Sequence, residues 1–76
     1  MKREEYMHAL ARQLRFLRKK HGLSQKELAD TLQIGLSSLR LLERGILPSR
    51  LSCEVLFDLS DHFRIPMSRL FEDPEP

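Results

Sequence analysis

The chain has 76 residues, a length that fits one small domain with a marginal core and therefore favours stabilisation by a second copy. Its formal net charge of +2 is unevenly spread, since residues 1–53 carry eleven Lys or Arg against five acids and residues 54–76 carry two against six. The single cysteine, Cys53, excludes an intramolecular disulfide or a CxxC metal site, and no apolar run approaches the roughly 20 residues that cross a bilayer. A cytoplasmic protein without a membrane partner is expected.

The first predicted helix covers residues 3–20. Tyr6, Leu10, Leu14 and Leu17 recur at intervals of four, four and three residues, the spacing of an apolar helical stripe, and this pattern favours an all-α fold. A run of six cations without an intervening acid has the character that phosphate binding requires: Arg12, Arg15, Arg18, Lys19, Lys20 and Lys26. A solvated helix face is the alternative explanation for this run.

Two short helices are predicted next. Ser24 and Glu27 have the S-x-x-E spacing of a capping box, which predicts a helix over residues 25–32, and a further helix is predicted over residues 36–44. The two helices and their short connection make residues 24–44 a helix-turn-helix, the arrangement that presents its second helix to the DNA major groove.

The leucines of this second helix do not all share one face. At about 100° per residue, Leu39 and Leu42 lie together with Leu36 at their margin, whereas Leu41 is nearly opposite. An outward leucine needs a partner, which is either a base edge in the groove or another protein.

The last part of the chain changes character. Pro48 breaks helical continuity and predicts a loop, after which Ser52 is the expected N-cap of a helix over residues 53–63. A fifth helix is predicted over residues 67–72, followed by an acidic tail over residues 72–76.

The string GLSQKELADTLQIGLSSLRLLERG, with PS and LSDHFRIPMSRLF after it, resembles the lambda-repressor-like (Cro/repressor) class of helix-turn-helix DNA-binding domains. The likeness covers about residues 10–71, and the GLSQ-x-ELA start, the ERG end and the late LF are specific in combination. It implies one five-helix domain over residues 1–76, which binds double-stranded DNA as a homodimer and regulates transcription from an operator as a repressor does, without catalysis.

The resemblance, together with the charge pattern, also implies roles for particular residues. Base edges are read by Leu36, Ser37, Arg40 and Leu41. Phosphates are contacted by Lys19, Gln25, Lys26, Gly35, Ser38 and Arg44. Arg18 and Glu43 form a structural ion pair, and the dimer interface includes Val55, Met67 and Arg69.

Two departures from the family pattern bear on function. Gln33 stands where the turn usually has glycine and Gly35 where it has a hydroxyl N-cap, so an altered angle between the two helices is expected. Leucine side chains can touch thymine methyls but cannot form bidentate hydrogen bonds with bases. The alternative function is therefore a protein-interaction module on the same fold, with a protein partner docked on Leu36, Leu41 and Ile46.

Enzymatic functions find no support in the sequence. The three histidines, His8, His21 and His62, are far apart, and no H-x-x-x-H, Gly-rich phosphate loop or nucleophile motif accompanies them. No enzyme activity, metal or cofactor is expected.

Overall fold

The computed structural model describes residues 2–49 and 51–74. Met1, Arg50 and the last two residues of the predicted acidic tail, Glu75 and Pro76, lie outside the described residues. All regular structure in the described part is helical, which confirms the all-α prediction. It consists of α1 (Arg3–Lys20), α2 (Gln25–Leu32), α3 (Leu36–Glu43), α4 (Glu54–Phe63) and a 3-10 turn (Met67–Arg69).

The first three helices lie where the sequence predicts them, to within one residue. At the start of α2, the Ser24 hydroxyl accepts a hydrogen bond from the Glu27 amide at 3.1 Å, and the Glu27 carboxylate accepts one from the Ser24 amide at 2.9 Å. These two bonds satisfy amides that have no partner inside the helix, so the capping box is present as predicted.

Two expectations for the C-terminal part are wrong. Helix α4 begins at Glu54 with Cys53 as its N-cap, so the Ser52 hydroxyl does not cap it; Ser52 instead provides a backbone carbonyl that accepts from the Val55 amide. The predicted fifth helix over residues 67–72 is a single 3-10 turn of three residues. Such turns seldom extend further because their hydrogen-bond geometry is poor.

The core lies between the helices and is built almost entirely from leucine. Seven leucines are fully buried, and they come from all four helices and from the residue after the 3-10 turn: Leu14, Leu28, Leu32, Leu39, Leu42, Leu59 and Leu70. Each contributes about 2 kcal/mol when it leaves water. Because α3 supplies two of these leucines, one side of that helix is anchored in the core and the other side faces outward.

Each of the four helices is followed within two residues by a residue whose positive φ is in the left-handed region: Gly22, Gln33, Gly45 and Arg64. Glycine adopts this conformation without steric penalty, whereas Gln33 (φ 58°) and Arg64 (φ 55°) adopt it at a cost of about 1 kcal/mol or more. Gly45 has a second constraint, because a Cβ there would lie 2.8 Å from Nδ1 of His8 on α1.

The C-terminal tail returns to α1. Asp73 forms an ion pair with Arg12, and Glu72 lies 3.6 Å from the Arg69 guanidinium. The buried Gln13 side chain donates a hydrogen bond to the Arg69 carbonyl at 3.1 Å. These contacts join the last described residues to the first helix.

Candidate nucleic-acid interface

Helix α3 presents one polar, solvent-exposed face. Ser37, Arg40 and Arg44 are all exposed, and their spacing of three, four and seven residues places them on one side of the helix. The opposite side carries buried Leu39 and Leu42. The outward face therefore contains two guanidinium groups and a hydroxyl. Such groups can form hydrogen bonds with base edges in the major groove of duplex DNA.

Leu41, the predicted outward leucine, is half-buried rather than fully exposed, and Leu36, predicted at the margin of the buried face, is also half-buried. Leu36 begins α3, and Leu41 lies on the edge of the outward face next to the loop that follows the helix. The structure thus brings together the four predicted base readers, with Ser37 and Arg40 in solvent and the leucines at the margins.

A tight turn joins α2 to α3. The Gln33 and Ile34 amides donate to the Asp30 and Ala29 carbonyls at 3.1 and 3.0 Å, a Schellman arrangement that ends α2. Gly35 then forms the N-cap of α3 in extended geometry, without a side-chain capping bond. Gln33 keeps the left-handed conformation that glycine usually supplies, so the missing glycine has not removed the turn.

An ion pair fixes the C-terminal end of α3 to α1. Arg18 Nε lies 2.8 Å from Glu43 Oε2, and Arg18 Nη2 lies 3.2 Å from Glu43 Oε1, so the pair is bidentate. The two side chains are 18% and 4% exposed. Arg15 adds a hydrogen bond to the Glu43 backbone carbonyl. Both predicted members of the ion pair are therefore in contact and largely shielded from water.

Gln25 extends this contact to the outward face. Its Nε2 donates to Glu43 Oε1 at 3.2 Å, and its Oε1 accepts from Arg40 Nε at 3.5 Å. The sequence assigns Gln25 to phosphate contact alone. Its two bonds within the protein both join α2 to side chains of α3, and a sequence pattern carries no signal for such a junction.

A groove of about 480 Å³ lies on the other flank of α3. It separates Gly35, Ser38 and Leu41 from the loop residues Pro48 and Leu51 and from the start of α4. Ile46 and Leu47, which begin this loop, are 44% and 43% exposed. Of the residues predicted to form an apolar docking patch, Leu41 lines the groove and Ile46 lies in solvent.

The predicted phosphate contacts are not grouped in one place. Lys19, Lys26, Gly35 and Arg44 are exposed, and Gln25 and Ser38 are half-buried. Lys26 lies 3.6 Å from Asp30 in an exposed pair of one helical turn, a contact that water and salt largely screen. These residues occur on all three of the first helices and in the turn before α3.

The predicted dimer residues differ in accessibility. Val55 is 6% exposed and belongs to the core, Met67 is half-buried, and Arg69 is exposed. Phe57 on α4 is 57% exposed and was not singled out from the sequence. It lies on α4 opposite Val55 and Leu59, so a helical projection of residues 54–63 would have identified it.

The described residues contain no candidate metal site, no membrane-spanning helix and no buried side-chain polar atom without a partner. No group of three or more His, Cys, Asp or Glu side chains there could hold a metal ion. None of the helices in that part of the chain is long and apolar enough to cross a membrane. Every buried side-chain nitrogen and oxygen described has a hydrogen-bond partner.

Comparison with known proteins gives one informative result. A family model described as helix-turn-helix matches residues 14–70, which is most of the chain and includes α2, α3 and α4. The comparison with curated proteins gives no significant match, and neither does the comparison with solved structures. The family match and the turn geometry agree, and the chain belongs to the lambda-repressor-like helix-turn-helix family.

Proposed function

We propose that this protein is a sequence-specific regulator of transcription that binds duplex DNA as a homodimer and acts, as a repressor does, by occupying an operator. The observation that supports this most directly is the outward face of α3, where Ser37, Arg40 and Arg44 are exposed on the second helix of a helix-turn-helix. In this arrangement the second helix enters the major groove. We place its action in the cytoplasm, with the DNA.

The side chains of α3 divide into two kinds of reader. Arg40 and Ser37 carry the hydrogen-bonding groups that distinguish base pairs. Leu36 and Leu41 offer apolar contact to thymine methyls and contribute a smaller discrimination. Specificity in this proposal therefore depends mainly on Arg40.

The phosphate contacts come from elements around α3. Lys19 and Arg44 are exposed cations, and Lys26 is held only by a solvent-screened pair, so each can turn towards an anion. The backbone at Gly35 and the hydroxyl of Ser38 add uncharged donors at the start of α3, and Gln25 adds its second amide hydrogen. Such contacts fix the position of the protein on DNA but carry no base information.

Dimerisation through the last two elements accompanies DNA binding in this proposal. Met67 and Arg69 provide contacts, Val55 supports the surface from beneath, and the exposed Phe57 ring adds apolar area that a second copy would cover. Two recognition helices related by a two-fold axis read half-sites about 34 Å apart or a multiple of that distance. Sedimentation that shows only monomer at high micromolar concentration, with and without DNA, would contradict this part.

The second candidate function is a protein-interaction module. It is favoured by the groove that Leu41 lines and by the exposure of Ile46, and in this function both residues and Leu36 dock a protein partner. In that case Leu41→Asp abolishes binding of a protein partner, and the wild-type protein shows little sequence preference on DNA.

The binding profiles of two variants separate the two functions. Leu41→Ala should weaken binding to preferred duplexes selectively, because an apolar contact to a base methyl depends on sequence. Lys19→Ala should weaken binding to every duplex about equally and make the salt dependence shallower. Equal losses on all duplexes for both variants would remove Leu41 from base reading and favour the interaction module.

A further inference from the structure

Arg40 on the outward face of α3 is already bonded to a side chain of another helix before any DNA is present. Its Nε lies 3.5 Å from Gln25 Oε1, at the start of α2. Gln25 in turn contacts Glu43, which is held by Arg18 of α1. The exposed guanidinium is therefore connected to a largely buried ion pair through one amide.

The direction of this amide is set by Glu43. A carboxylate can only accept hydrogen bonds, so the Gln25 group that faces Glu43 Oε1 at 3.2 Å must be the NH₂ group. The Gln25 oxygen then points away from Glu43 and is available as an acceptor. Arg40 carries only donors, so it fits this oxygen and would be repelled by a reversed amide.

The contact with Gln25 decides which edge of the Arg40 guanidinium remains free. A guanidinium can bind two acceptors either through Nε and Nη2 or through its two terminal nitrogens. Because Nε is engaged by Gln25, this contact leaves the donors of the terminal nitrogens Nη1 and Nη2 unused. Two parallel donors at this edge match O6 and N7 of guanine, the commonest bidentate contact of arginine with a base.

We propose that Gln25 is a positioning residue for base recognition, which holds Arg40 so that its two terminal nitrogens read a guanine in each half-site. This rests on the proposed function, since it specifies how the DNA-binding face selects its sequence. Gln25 needs no base contact of its own for this role.

The test uses a duplex selected by the wild-type protein from a random pool and the same duplex with each base pair replaced in turn. Gln25→Lys is the informative variant, because an ammonium can still donate to Glu43 but offers no acceptor to Arg40. We expect it to keep the thermal midpoint of the wild type and to lose about tenfold of the preference for one guanine over the other base pairs at that position, a ratio that a changed phosphate contact leaves unaffected. Arg40→Ala should lose the same preference, and combining the two substitutions should cost no more than Arg40→Ala alone.

Thr31→Ala provides the matched control on α2. The Thr31 hydroxyl bonds only to the Glu27 carbonyl within its own helix, so the base preference should not change. A duplex with 7-deazaguanine at the selected position lacks N7 but keeps base pairing. It should bind the wild-type protein more weakly and the Arg40→Ala variant with unchanged affinity.

The outcomes separate this inference from the proposed function. A guanine preference that survives Gln25→Lys, or one that does not depend on Arg40, overturns the positioning role and leaves specific DNA binding intact. Wild-type protein that binds all duplexes equally overturns both.

Discussion

The two flanks of α3 are held in place by different kinds of contact. On one flank, Arg18, Glu43, Gln25 and Arg40 form a chain of directional polar bonds that joins three helices. On the other, Leu41 faces a groove across which the loop residues Pro48 and Leu51 lie. The polar flank holds Arg40, a proposed base-reading residue, through a hydrogen bond. On the groove flank the side chain of Leu41 is apolar and forms no such bond with the loop across the groove.

This difference indicates that the two flanks of α3 suit different kinds of contact. Hydrogen bonds weaken as donor and acceptor move out of alignment, so they suit a residue that must meet a base in a defined geometry. An apolar contact next to a groove tolerates displacement, which suits contact with a methyl group or with a partner surface.

Breaking the polar flank should have the largest effect. Glu43→Ala leaves the Arg18 guanidinium, only 18% exposed, without its carboxylate, so we expect the free energy of unfolding to fall by about 3 to 5 kcal/mol. Urea denaturation followed by helical circular dichroism measures it. Arg44→Ala, one residue further on and exposed, is the matched control and should change stability by less than about 0.5 kcal/mol.

A paired replacement sharpens this result. Arg18→Met combined with Glu43→Leu removes both charges, and well-packed apolar residues in place of a buried pair are often neutral for stability. The double variant should therefore be more stable than Glu43→Ala. A double variant less stable than Glu43→Ala would show that packing, rather than the stranded charge, accounts for the loss.

Breaking the groove flank should cost less. Leu41 is half-buried beside an open groove, so Leu41→Ala should lower the free energy of unfolding by about 1 kcal/mol. Leu39→Ala, two residues earlier and fully buried, should lose about 3 kcal/mol in the same denaturation experiment. Equal losses at the two positions would mean that Leu41 is part of the core and that the flanks do not differ as described.

The turn between the flanks offers a stabilising change. Gln33 holds a left-handed conformation that suits glycine, so Gln33→Gly should raise the free energy of unfolding by about 0.5 to 1 kcal/mol. Arg64→Gly, at the end of α4 and with nearly the same φ, is the matched comparison and should give a similar gain. A loss of stability in both variants would contradict the assignment of strain to these two residues.

The smallest effect concerns the capping box that begins α2 and so supports Gln25. Hydrogen bonds to the Glu27 carboxylate, first from the Ser24 backbone amide and then from the Ser24 side chain, lower the pKa of Glu27. Its contribution to stability is therefore present above the ordinary carboxyl range and is lost as the pH falls through the lowered pKa. Thermal unfolding of Glu27→Gln should show a weaker acid dependence than that of the wild-type protein; an identical dependence would remove Glu27 from this linkage.

Local sequence signals predicted the parts of the fold that local chemistry decides. The apolar stripe of α1 and the Ser24 capping box gave correct bounds for the first two helices, because spacing and capping act within a few residues. The N-cap of α4 lies one residue later than predicted, at Cys53, because a proline and a serine before a helix allow more than one N-cap. The fifth helix was overpredicted because Pro66 marks where a helix can begin but not how long it continues.

Only part of the candidate nucleic-acid interface could be predicted from the sequence. The outward positions of Ser37 and Arg40 follow from helical periodicity alone. The junction of Gln25 with Glu43 and Arg40 could not be predicted, because it joins residues 18 and 15 positions apart on two packed helices. The groove beside Leu41 depends likewise on how the loop packs, which no short-range pattern determines.

The specificity ratio on DNA tests the central claim most directly. The affinity of the wild-type protein is measured for a duplex selected from a random pool and for the same bases in scrambled order, at two salt concentrations. The account predicts that the selected duplex binds at least about 10³-fold more tightly at physiological salt, and that both affinities fall as salt rises. Equal affinity for the two duplexes, or no binding to either at low salt, would contradict it.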